Sequence, residues 1–581
     1  MPLPFRGFVL RKLSISLLVG LFFAPHALAQ GAAPAPGVLM PGVTYAKRVQ
    51  FTPHGPVVLN VMTAPKPGGL YSLEPVLSNE SIVGREKVTD MQRRLSATAT
   101  VAGVNGDLFN WNDGHPSGVL IRNGVLEHPP AADRTSVGIA SDGTLHPDRV
   151  SLLGYWRGVG SRVRVGLNDP PSENGYSLFT RAYGATTPSA KGAAEVILHP
   201  FPNATANTDL IGVVADVISP SSGKTAIPAD GAVLQARGSG AFKLVGDAQL
   251  GTSLTIRYTL NPTWDGIVGA IGGGPVIVKD GKLIFQANEG FSSAQLSPHD
   301  PRTAVGQRAD GKIIMVAVDG RQPGYSAGVT NYELALAMMQ LGAVSASALD
   351  AGGSTTMAFD GQLLNRPSDR GGERSVAEAL LVAYSGVYVP PVSEPVLSPN
   401  RDRVADAESL SYKLVRPSTV QASLVGPKKV TVPIDSGQRG PGTYRFNWAG
   451  PGPEGSWKFS VTATDDLAQT STAERRFALN NTLAALAVQP KALKLRKKGT
   501  RLLASFTLAH PAKVTATVET ASGSVVRVLS RSSAGAGAQR LQWNGRSSSG
   551  RIAYAGSYRL HVSATNKLGR VDLYAPFTAR R

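Results

Sequence analysis

A strand–helix–strand pattern in the middle of the chain constrains the fold more than any other feature of the sequence. An apolar run over residues 312–318 ends at Asp319, and a second over 344–349 ends at Asp350. Between them, a capping box that begins at Thr330 predicts the start of a helix. If the two strands are parallel neighbours, a right-handed crossover brings both acidic residues to one edge of the sheet. Open α/β sheets bind ligands at that edge.

Residues beside these two strand ends predict a pocket for an anion. Arg302 precedes the first strand and Arg321 follows its end, and a guanidinium group suits bidentate phosphate binding. The Gly-Gly-Ser-Thr turn at 352–355 follows Asp350 and can direct amides and hydroxyls at an anion. Because Asp-Gly is also a common turn signal, a purely structural Asp319 is the alternative. Likewise, the two arginines could be surface ion-pair partners that contribute little.

Motifs between residues 105 and 384 resemble the phosphodiester glycosidase family. They lie at 104–109, 115–118, 174–180, 269–275, 280–282, 302–306, 319–321, 328–333 and 349–355. One departure is Ala351, where the family pattern has the first of three glycines. A positive φ at this position would strain an alanine.

The resemblance implies hydrolysis of a sugar-1-phosphodiester between the anomeric carbon and its oxygen, which releases sugar and a phosphomonoester. Such a leaving group needs little proton donation, so stabilising its charge matters more. Asp319 and Asp350 are then the catalytic carboxylates, which activate water or stabilise an oxocarbenium ion. The substrate-binding candidates are Asn105, Asp107, Arg134, Gly273, Gly274, Arg302, Arg321, Gly352, Gly353, Ser354 and Thr355. Asn-Gly at Asn105 is also a frequent hairpin turn. We expect no cofactor, although a structural Ca²⁺ held by the clustered acids stays open.

The fold class that we predict is a strand-dominated α+β catalytic domain followed by two all-β Ig-like sandwiches. Short apolar runs alternate with Gly, Pro, Asn and Asp turns, and helices are indicated only near 86–96 and after Thr330. The predicted segments are a signal peptide (1–29), an Ala/Pro/Gly linker (30–42), the catalytic domain (43–389), a Pro-rich linker (390–407), sandwich 1 (408–482) and the basic sandwich 2 (483–581).

An internal repeat predicts the two sandwiches. Pro417 and Trp448 recur as Pro511 and Trp543 at nearly the same spacing, and alternating apolar residues around both indicate half-buried antiparallel strands. Tryptophans at repeated positions favour core packing over sugar stacking. The second copy resembles the Ig-like domain of flagellar hook-capping proteins.

The N-terminus and the charge distribution indicate a secreted, basic protein. Three early cations, an apolar stretch over 13–23 and Ala-Leu-Ala before Gln30 predict a cleaved secretory signal. The stretch is shorter than the ~20 residues of a membrane span, so we expect no transmembrane segment, with an uncleaved anchor as the alternative. The chain contains no cysteine, which excludes disulfides, thiolate metal sites and a thiol nucleophile.

Residues 484–581 hold 17 Lys and Arg against two acids, or +15 of the chain's +19. A field of this sign attracts polyanions, and outside the inner membrane these are anionic envelope polymers, so we expect no nucleic-acid partner. A surface that serves only solubility is the alternative for this tail. For the whole protein, the alternative is a non-catalytic protein that binds envelope glycans or exopolysaccharide.

Overall fold

The computed structural model describes residues 37–284 and 289–581. The signal peptide predicted at 1–29 lies outside the described residues. Within these two ranges the chain forms eight β-sheets and four α-helices, so the predicted dominance of strands is confirmed. None of the described helices is long and apolar enough to cross a membrane.

Strands β1 to β26 form the first domain. They are β1 (Gly37–Met40), β2 (Val43–Thr52), β3 (Gly55–Ala64), β4 (Tyr71–Leu77), β5 (Thr100–Asn105), β6 (Leu120–Arg122), β7 (Val125–His128), β8 (Thr135–Ala140), β9 (Leu145–Arg149), β10 (Ser151–Arg157), β11 (Val163–Arg164), β12 (Gly166–Leu167), β13 (Tyr176–Phe179), β14 (Ser189–Leu198), β15 (Asp209–Gly223), β16 (Ala232–Ala236), β17 (Ser253–Asn261), β18 (Ile267–Gly272), β19 (Val276–Lys279), β20 (Lys282–Leu283), β21 (Arg302–Arg308), β22 (Ile313–Val318), β23 (Ala343–Ala348), β24 (Met357–Phe359), β25 (Gln362–Leu363) and β26 (Glu378–Tyr384).

The helices also belong to this domain. They are α1 (Val88–Leu95), α2 (Ser239–Asp247), α3 (Ser293–Leu296) and α4 (Asn331–Gln340). The two helices predicted from sequence correspond to α1 and α4, and α4 begins with the predicted capping box between Thr330 and Glu333. Helices α2 and α3 were not predicted from the sequence.

The sheet that carries the two acidic strand ends has the order β1-β2-β3-β22-β21-β23-β19-β20. Strands β22 and β23 both pair antiparallel with β21, so they are parallel to each other but are not neighbours. The prediction of neighbouring strands is therefore wrong, because the preceding strand β21 inserts between them. Their C-terminal ends nevertheless lie at one edge, together with Arg302 at the start of β21.

One hydrophobic core joins this sheet to two five-stranded sheets, β25-β24-β5-β26-β4 and β7-β6-β18-β8-β9. Helix α4 covers the other face of the first sheet, where Leu334 and Met338 pack against Ile314 and Val316. An eight-stranded sheet, β11-β10-β17-β15-β14-β16-β13-β12, has its own core around Trp156. Packing between these sheets and α4 fixes the backbone of β5, β21 and β23, and the end of β5, the start of β21 and the end of β23 surround the pocket described below.

Two β-sandwiches complete the described chain. Their strands are β27 (Val396–Leu397), β28 (Glu408–Leu414), β29 (Ser418–Val425), β30 (Thr431–Arg439), β31 (Gly442–Trp448), β32 (Gly455–Asp465), β33 (Thr470–Leu479), β34 (Leu483–Gln489), β35 (Ala492–Lys494), β36 (Leu502–Leu508), β37 (Ala512–Thr520), β38 (Val525–Ala534), β39 (Gly537–Trp543), β40 (Gly556–Asn566) and β41 (Gly569–Arg580). Trp448 and Trp543 are 5% and 1% exposed, which confirms that both belong to cores.

The two predicted linkers take part in folded structure. Val387, Val389 and Leu397 are buried in the core of the first sandwich, and β27 pairs with β33. Part of the Pro-rich segment 390–407 therefore packs into the first sandwich, through Leu397 in its core and the partly buried Val392. The described end of the other predicted linker, 30–42, contains β1, which pairs with β2.

The first sandwich also contacts the first domain directly. The ammonium group of Lys413 donates to Ser96 Oγ at 2.9 Å and to the Ala99 carbonyl at 3.1 Å, and it lies 3.4 Å from Asp360 Oδ1. Burial lowers the pKa of this lysine below its ordinary value. The interface is thus built from specific contacts as well as from the chain connection.

Candidate active site

A pocket of about 250 Å³ lies at the sheet edge where β21 begins and β23 ends. Its floor includes Asp350 and its walls include Arg321, Phe291 and Leu108. The other lining residues are Gly274, Pro275, Ala294, Gln295, Leu296, Asp300, Arg302, Asn331, Ala348, Leu349, Ala351 and Gly352. The pocket therefore combines apolar walls with a carboxylate and guanidinium groups.

Asp350 has the electrostatic character of an acid–base group. Its amide donates to the Gly106 carbonyl at 3.0 Å, and its Oδ1 accepts from the Ala351 amide at 2.8 Å. Burial raises the pKa of the Asp350 carboxyl to about 6, and the nearby Asp107 charge adds to this, while Ser354 and the Ala351 amide partly offset it. The carboxyl group can thus exchange a proton near neutral pH.

The loop after Asp350 does not strain Ala351. This alanine is extended, with φ −121° and ψ −172°, whereas Gly352 has φ +64°. A Cβ at Gly352 would also come within 3.2 Å of the Arg321 guanidinium group. The position that needs glycine is therefore the second of the family pattern, and alanine at the first leaves the loop geometry intact.

Asp107 is the acidic residue that the structure brings towards Asp350. It is buried and accepts two hydrogen bonds from Arg134, at 2.9 Å and 3.1 Å. A Cβ at Gly118 or Gly272 would lie 2.6 Å or 2.1 Å from Asp107 Oδ2, so both glycines are required for this approach. The guanidinium group of Arg134 also donates to the Gly273 carbonyl at 3.2 Å. Sequence reasoning found these residues but not their pairing.

Glu378 is a buried acid that sequence reasoning missed. Its Oε1 lies 3.4 Å from the Asp107 amide, and no described residue hydrogen-bonds to its buried Oε2. Burial and the Asp107 charge hold the pKa of Glu378 well above its ordinary value. An acid at the head of the apolar run 378–384 was the available signal. A neutral Glu378 beside Asp107 avoids adding a second buried negative charge.

Asn105 positions the loop instead of lining the pocket. Its Nδ2 donates to the Asp350 carbonyl at 2.9 Å, and its Oδ1 accepts from Thr303 Oγ1 at 2.8 Å and from the Thr356 amide at 3.0 Å. With these bonds made inside the protein, the amide has little capacity left for a sugar hydroxyl. The predicted substrate-binding role of Asn105 is therefore replaced by a positioning role.

The structure does not bring Asp319 to the pocket, although its strand ends at the same edge as that of Asp350. Its carboxylate accepts from Asn365 Nδ2 at 3.1 Å, the Arg366 amide at 3.0 Å and Tyr325 Oη at 3.0 Å. It is 1% exposed. Because β21 separates the two strands, Asp319 faces its own network and not Asp350. The carboxylate pair that was predicted from sequence is thus not formed.

Arg302 lies at the pocket, but its donors are already used. Its guanidinium group donates to the carbonyls of Val329, Gln295, Leu296 and Pro298, at 3.2, 2.8, 3.3 and 3.0 Å. A fork that is saturated by carbonyls holds the residues before β21 in place. The predicted phosphate contact of Arg302 is therefore not supported by its geometry.

Arg321 is the more available guanidinium group of the pocket. It pairs with Asp300 through Nε at 2.7 Å and Nη2 at 3.0 Å, and its side chain is 49% exposed. This pairing, together with the left-handed φ of +58° at Arg321, fixes the cation beside Gly352. The cation thus lies where it can meet an anion inside the pocket.

The remaining predicted residues surround the pocket loop. The Gly274 amide donates to the Ala348 carbonyl at 2.9 Å, and the Gly352 amide donates to Pro301 O at 2.9 Å. The residues Gly353, Ser354 and Thr355 are buried. Arg374, which sequence reasoning missed, donates to Ser354 Oγ at 3.3 Å and pairs with Asp369 at 2.8 Å. It therefore supports the loop from behind.

No group of three or more His, Cys, Asp or Glu side chains is arranged to hold a metal ion in residues 37–284 and 289–581.

The protein is thus a β-rich domain, with a pocket lined by carboxyl and guanidinium groups, followed by Ig-like sandwiches. Residues 207–383 match the family described as phosphodiester glycosidase, and residues 491–567 match the FlgD Ig-like domain. The resemblances read from the sequence are therefore confirmed for these two segments.

Several known proteins are similar to parts of the chain. An uncharacterised SPbeta prophage-derived protein of Bacillus subtilis, YomE, is 40% identical over 91 residues, which are 16% of this chain and 14% of that protein. A hypothetical protein from Synechocystis is 27% identical with a TM-score of 0.50, over 60% of this chain and 64% of that one. A zebrafish N-acetylglucosamine-1-phosphodiester alpha-N-acetylglucosaminidase catalytic domain is 14% identical with a TM-score of 0.32, over 60% and 84%. The chain thus spans less than two thirds of the length of the first two relatives.

Proposed function

We propose that the first domain is a hydrolase that cleaves a sugar-1-phosphodiester and releases free sugar and a phosphomonoester. The observation that carries the proposal is the pocket in which Asp350, with its pKa raised to about 6, lies beside the Asp107–Arg134 pair. The family match at 207–383 supports the same reaction class. A volume of about 250 Å³ is below the ~300 Å³ at which drug-sized sites begin, which suits one sugar unit.

The chemistry follows from the bond that breaks. Cleavage between the anomeric carbon and oxygen leaves positive charge on the sugar and negative charge on the departing phosphate. Ionised Asp350 stabilises the sugar cation or takes a proton from the attacking water. Arg321, fixed beside Gly352 by Asp300, stabilises the departing phosphate. Asp107 accepts two hydrogen bonds from Arg134, and its charge helps to raise the pKa of Asp350.

We assign a different role to each acid that was considered from sequence. Asp350 touches the substrate, Asp107 and Arg134 shape the field around it, and Asp319 stabilises the fold through Asn365 and Tyr325. Burial and the Asp107 charge raise the pKa of Glu378 well above its ordinary value, which favours its neutral form. Asp350 and Asp107 thus lie in different environments, and carboxyl groups in different environments can perform different tasks in one active site.

The sandwiches and the N-terminus suggest where the enzyme acts. We propose that the protein is secreted through the signal predicted at 1–29 and that its second sandwich holds it on anionic envelope polymers. The support is the exposure of Lys494, Arg496, Lys497 and Lys498 on one short segment, within the region that carries +15. Envelope glycans that contain sugar-1-phosphodiesters are then the natural substrates.

The test is turnover of defined substrates. Benzyl phosphodiesters of α- and β-hexose 1-phosphates, with and without a 2-acetamido group, should release reducing sugar from at least one member. Asp350→Asn should lower kcat by at least ~100-fold. Asp310→Asn is the matched control, because Asp310 is exposed in the turn at the far end of the β21–β22 hairpin. Binding of the esters without release of sugar from any of them would favour the non-catalytic alternative.

A further inference from the structure

An exposed tryptophan lies beside the catalytic loop. Trp111 is 61% exposed, whereas its neighbour Phe109 is 7% exposed. Many proteins expose single apolar side chains, so exposure alone carries no functional meaning. The setting of Trp111 distinguishes it from the other exposed apolar residues.

The loop that carries Trp111 is held rigidly. The Asn110 amide donates to His115 O at 2.9 Å, and the Gly114 amide donates to Asn110 O at 2.8 Å. At its base, the Ser117 amide donates to Leu108 O at 2.8 Å, and Leu108 lines the catalytic pocket. The ring is thus presented at the tip of a closed loop whose base is part of the pocket wall.

Two guanidinium groups lie over the ring of Trp111. The Cζ atom of Arg374 lies 4.9 Å from the Trp111 ring centroid, and that of Arg85 lies 5.8 Å from it. Arg374 also donates to Ser354 Oγ, so it links the ring to the loop that follows Asp350. Arg85 is exposed and forms no ion pair with the described residues. An aromatic face suits the apolar face of a sugar ring, and guanidinium groups suit phosphate.

We infer that Trp111 and Arg85 form a second subsite, which binds the sugar and phosphate of the unit next to the one being cleaved, while Arg374, paired with Asp369, holds the Trp111 ring beside the loop that follows Asp350. This inference rests on the proposed function and narrows its substrate class to chains of repeated sugar-phosphodiester units. A single sugar-1-phosphodiester fills the 250 Å³ pocket and leaves the Trp111 face uncovered. A chain places its next unit on that face, beside the part of the pocket wall that Leu108 forms.

The experiment compares two substrates on the same variants. The probes are a benzyl hexose-1-phosphodiester and a synthetic tetramer of hexose-1-phosphate units, and the readout is the ratio of their kcat/KM values. Trp111→Ala should lower the tetramer-to-monomer ratio about tenfold, and Trp111→Phe should retain most of it. Phe242→Ala, which removes an aromatic side chain that is 83% exposed on α2, should leave the ratio unchanged. Arg85→Ala should lower the ratio further at low salt than at high salt.

Binding separates this inference from the proposed function. The tetramer is titrated calorimetrically into Asp350→Asn, with and without Trp111→Ala, so that no turnover is needed. Tenfold weaker binding without Trp111 supports the subsite even if no hydrolysis of any ester is detected. If Trp111→Ala lowered kcat/KM equally for the monomer and the tetramer, the subsite would be overturned. The same would hold if the variant lost tetramer affinity only because its melting temperature fell, and Trp111 would then be a residue that stabilises its own loop.

Discussion

Replacing Asp350 by asparagine should stabilise the protein while removing its activity. The pKa of this carboxyl rises from an ordinary value of 3.8 to about 6 in the folded state, chiefly through burial. Between these two pH values the folded state binds more protons than the unfolded state, so stability falls as pH rises from ~4 through about 6. About two pKa units correspond to about 3 kcal/mol, which is the most that ionised Asp350 costs the fold above pH 7.

Asparagine keeps the shape and the acceptor for the Ala351 amide, but it cannot ionise. The free energy of unfolding of Asp350→Asn should therefore exceed that of the natural protein by up to about 3 kcal/mol at pH 8 and match it near pH 4. Asp319→Asn is the matched comparison. Its carboxylate accepts hydrogen bonds from Asn365, Arg366 and Tyr325, so this change should destabilise the fold by about 1–3 kcal/mol at pH 8.

The assay must measure the stability of the first domain separately from that of the two sandwiches. Urea-dependent hydrogen exchange, read by mass spectrometry on peptides from β5 and β22, gives the stability of that domain at pH 4.5 and pH 8. In parallel, the proposed activity of the natural protein should rise about tenfold between pH 5 and 7 as Asp350 ionises. A stability that is flat with pH, or an Asp350→Asn variant that is less stable than the natural protein at pH 8, would refute the reasoning.

Three further predictions concern Arg302, the loop after Asp350 and the basic cluster of the second sandwich. Arg302→Lys should lower the free energy of unfolding by about 1–3 kcal/mol, because an ammonium group cannot satisfy four separated carbonyls; a slower kcat at unchanged melting temperature would contradict this. Gly352→Ala should lower the free energy of unfolding by about 1–2 kcal/mol, because φ is +64° there, and it should also lower kcat. Ala351→Gly should change kcat by less than about twofold. Thermal melts and steady-state kinetics on both variants test this pair of predictions. Co-sedimentation with isolated envelopes should fall when glutamine replaces the four cations Lys494, Arg496, Lys497 and Lys498. The natural protein should lose the same binding as added salt screens charges over ~8 Å. An equal loss when glutamine replaces Lys428, Lys429 and Arg445 would argue against a specific role of the first cluster.

Local sequence signals predicted the elements next to the site better than their arrangement. The capping box at Thr330 marked the start of α4, and the apolar runs marked β22 and β23 to within about one residue. These features depend on neighbours in sequence, which periodicity and capping rules can read. The order of strands in the sheet depends on pairing between distant segments, so nothing local showed that β21 would separate Asp319 from Asp350.

The same reason explains which site residues were misassigned. Arg302 and Asp319 stand in motifs of the family, but a motif does not reveal whether a side chain points to a pocket or to backbone carbonyls. The Asp107–Arg134 pair joins residues 27 positions apart, and it became visible only with the packing of Gly118 and Gly272 around the carboxylate. By contrast, Trp448 and Trp543 were assigned to cores correctly, because the repeat placed them in equivalent sandwich positions.

The position of β5 has a consequence for how the chain folds. This central strand is bordered by β24 and β26, and Asn105 at its end bonds to Asp350 and Thr356, 245 and 251 residues later. Contacts of such long sequence separation form slowly, because much chain entropy is lost before they are made. As the chain is synthesised, the edge of β5 that pairs with β24 stays unpaired until residue 359 has emerged, and the edge that pairs with β26 stays unpaired until residue 384. The strand is therefore open to pairing with other chains during that interval, and the acidic loop takes its shape among the last parts of the domain.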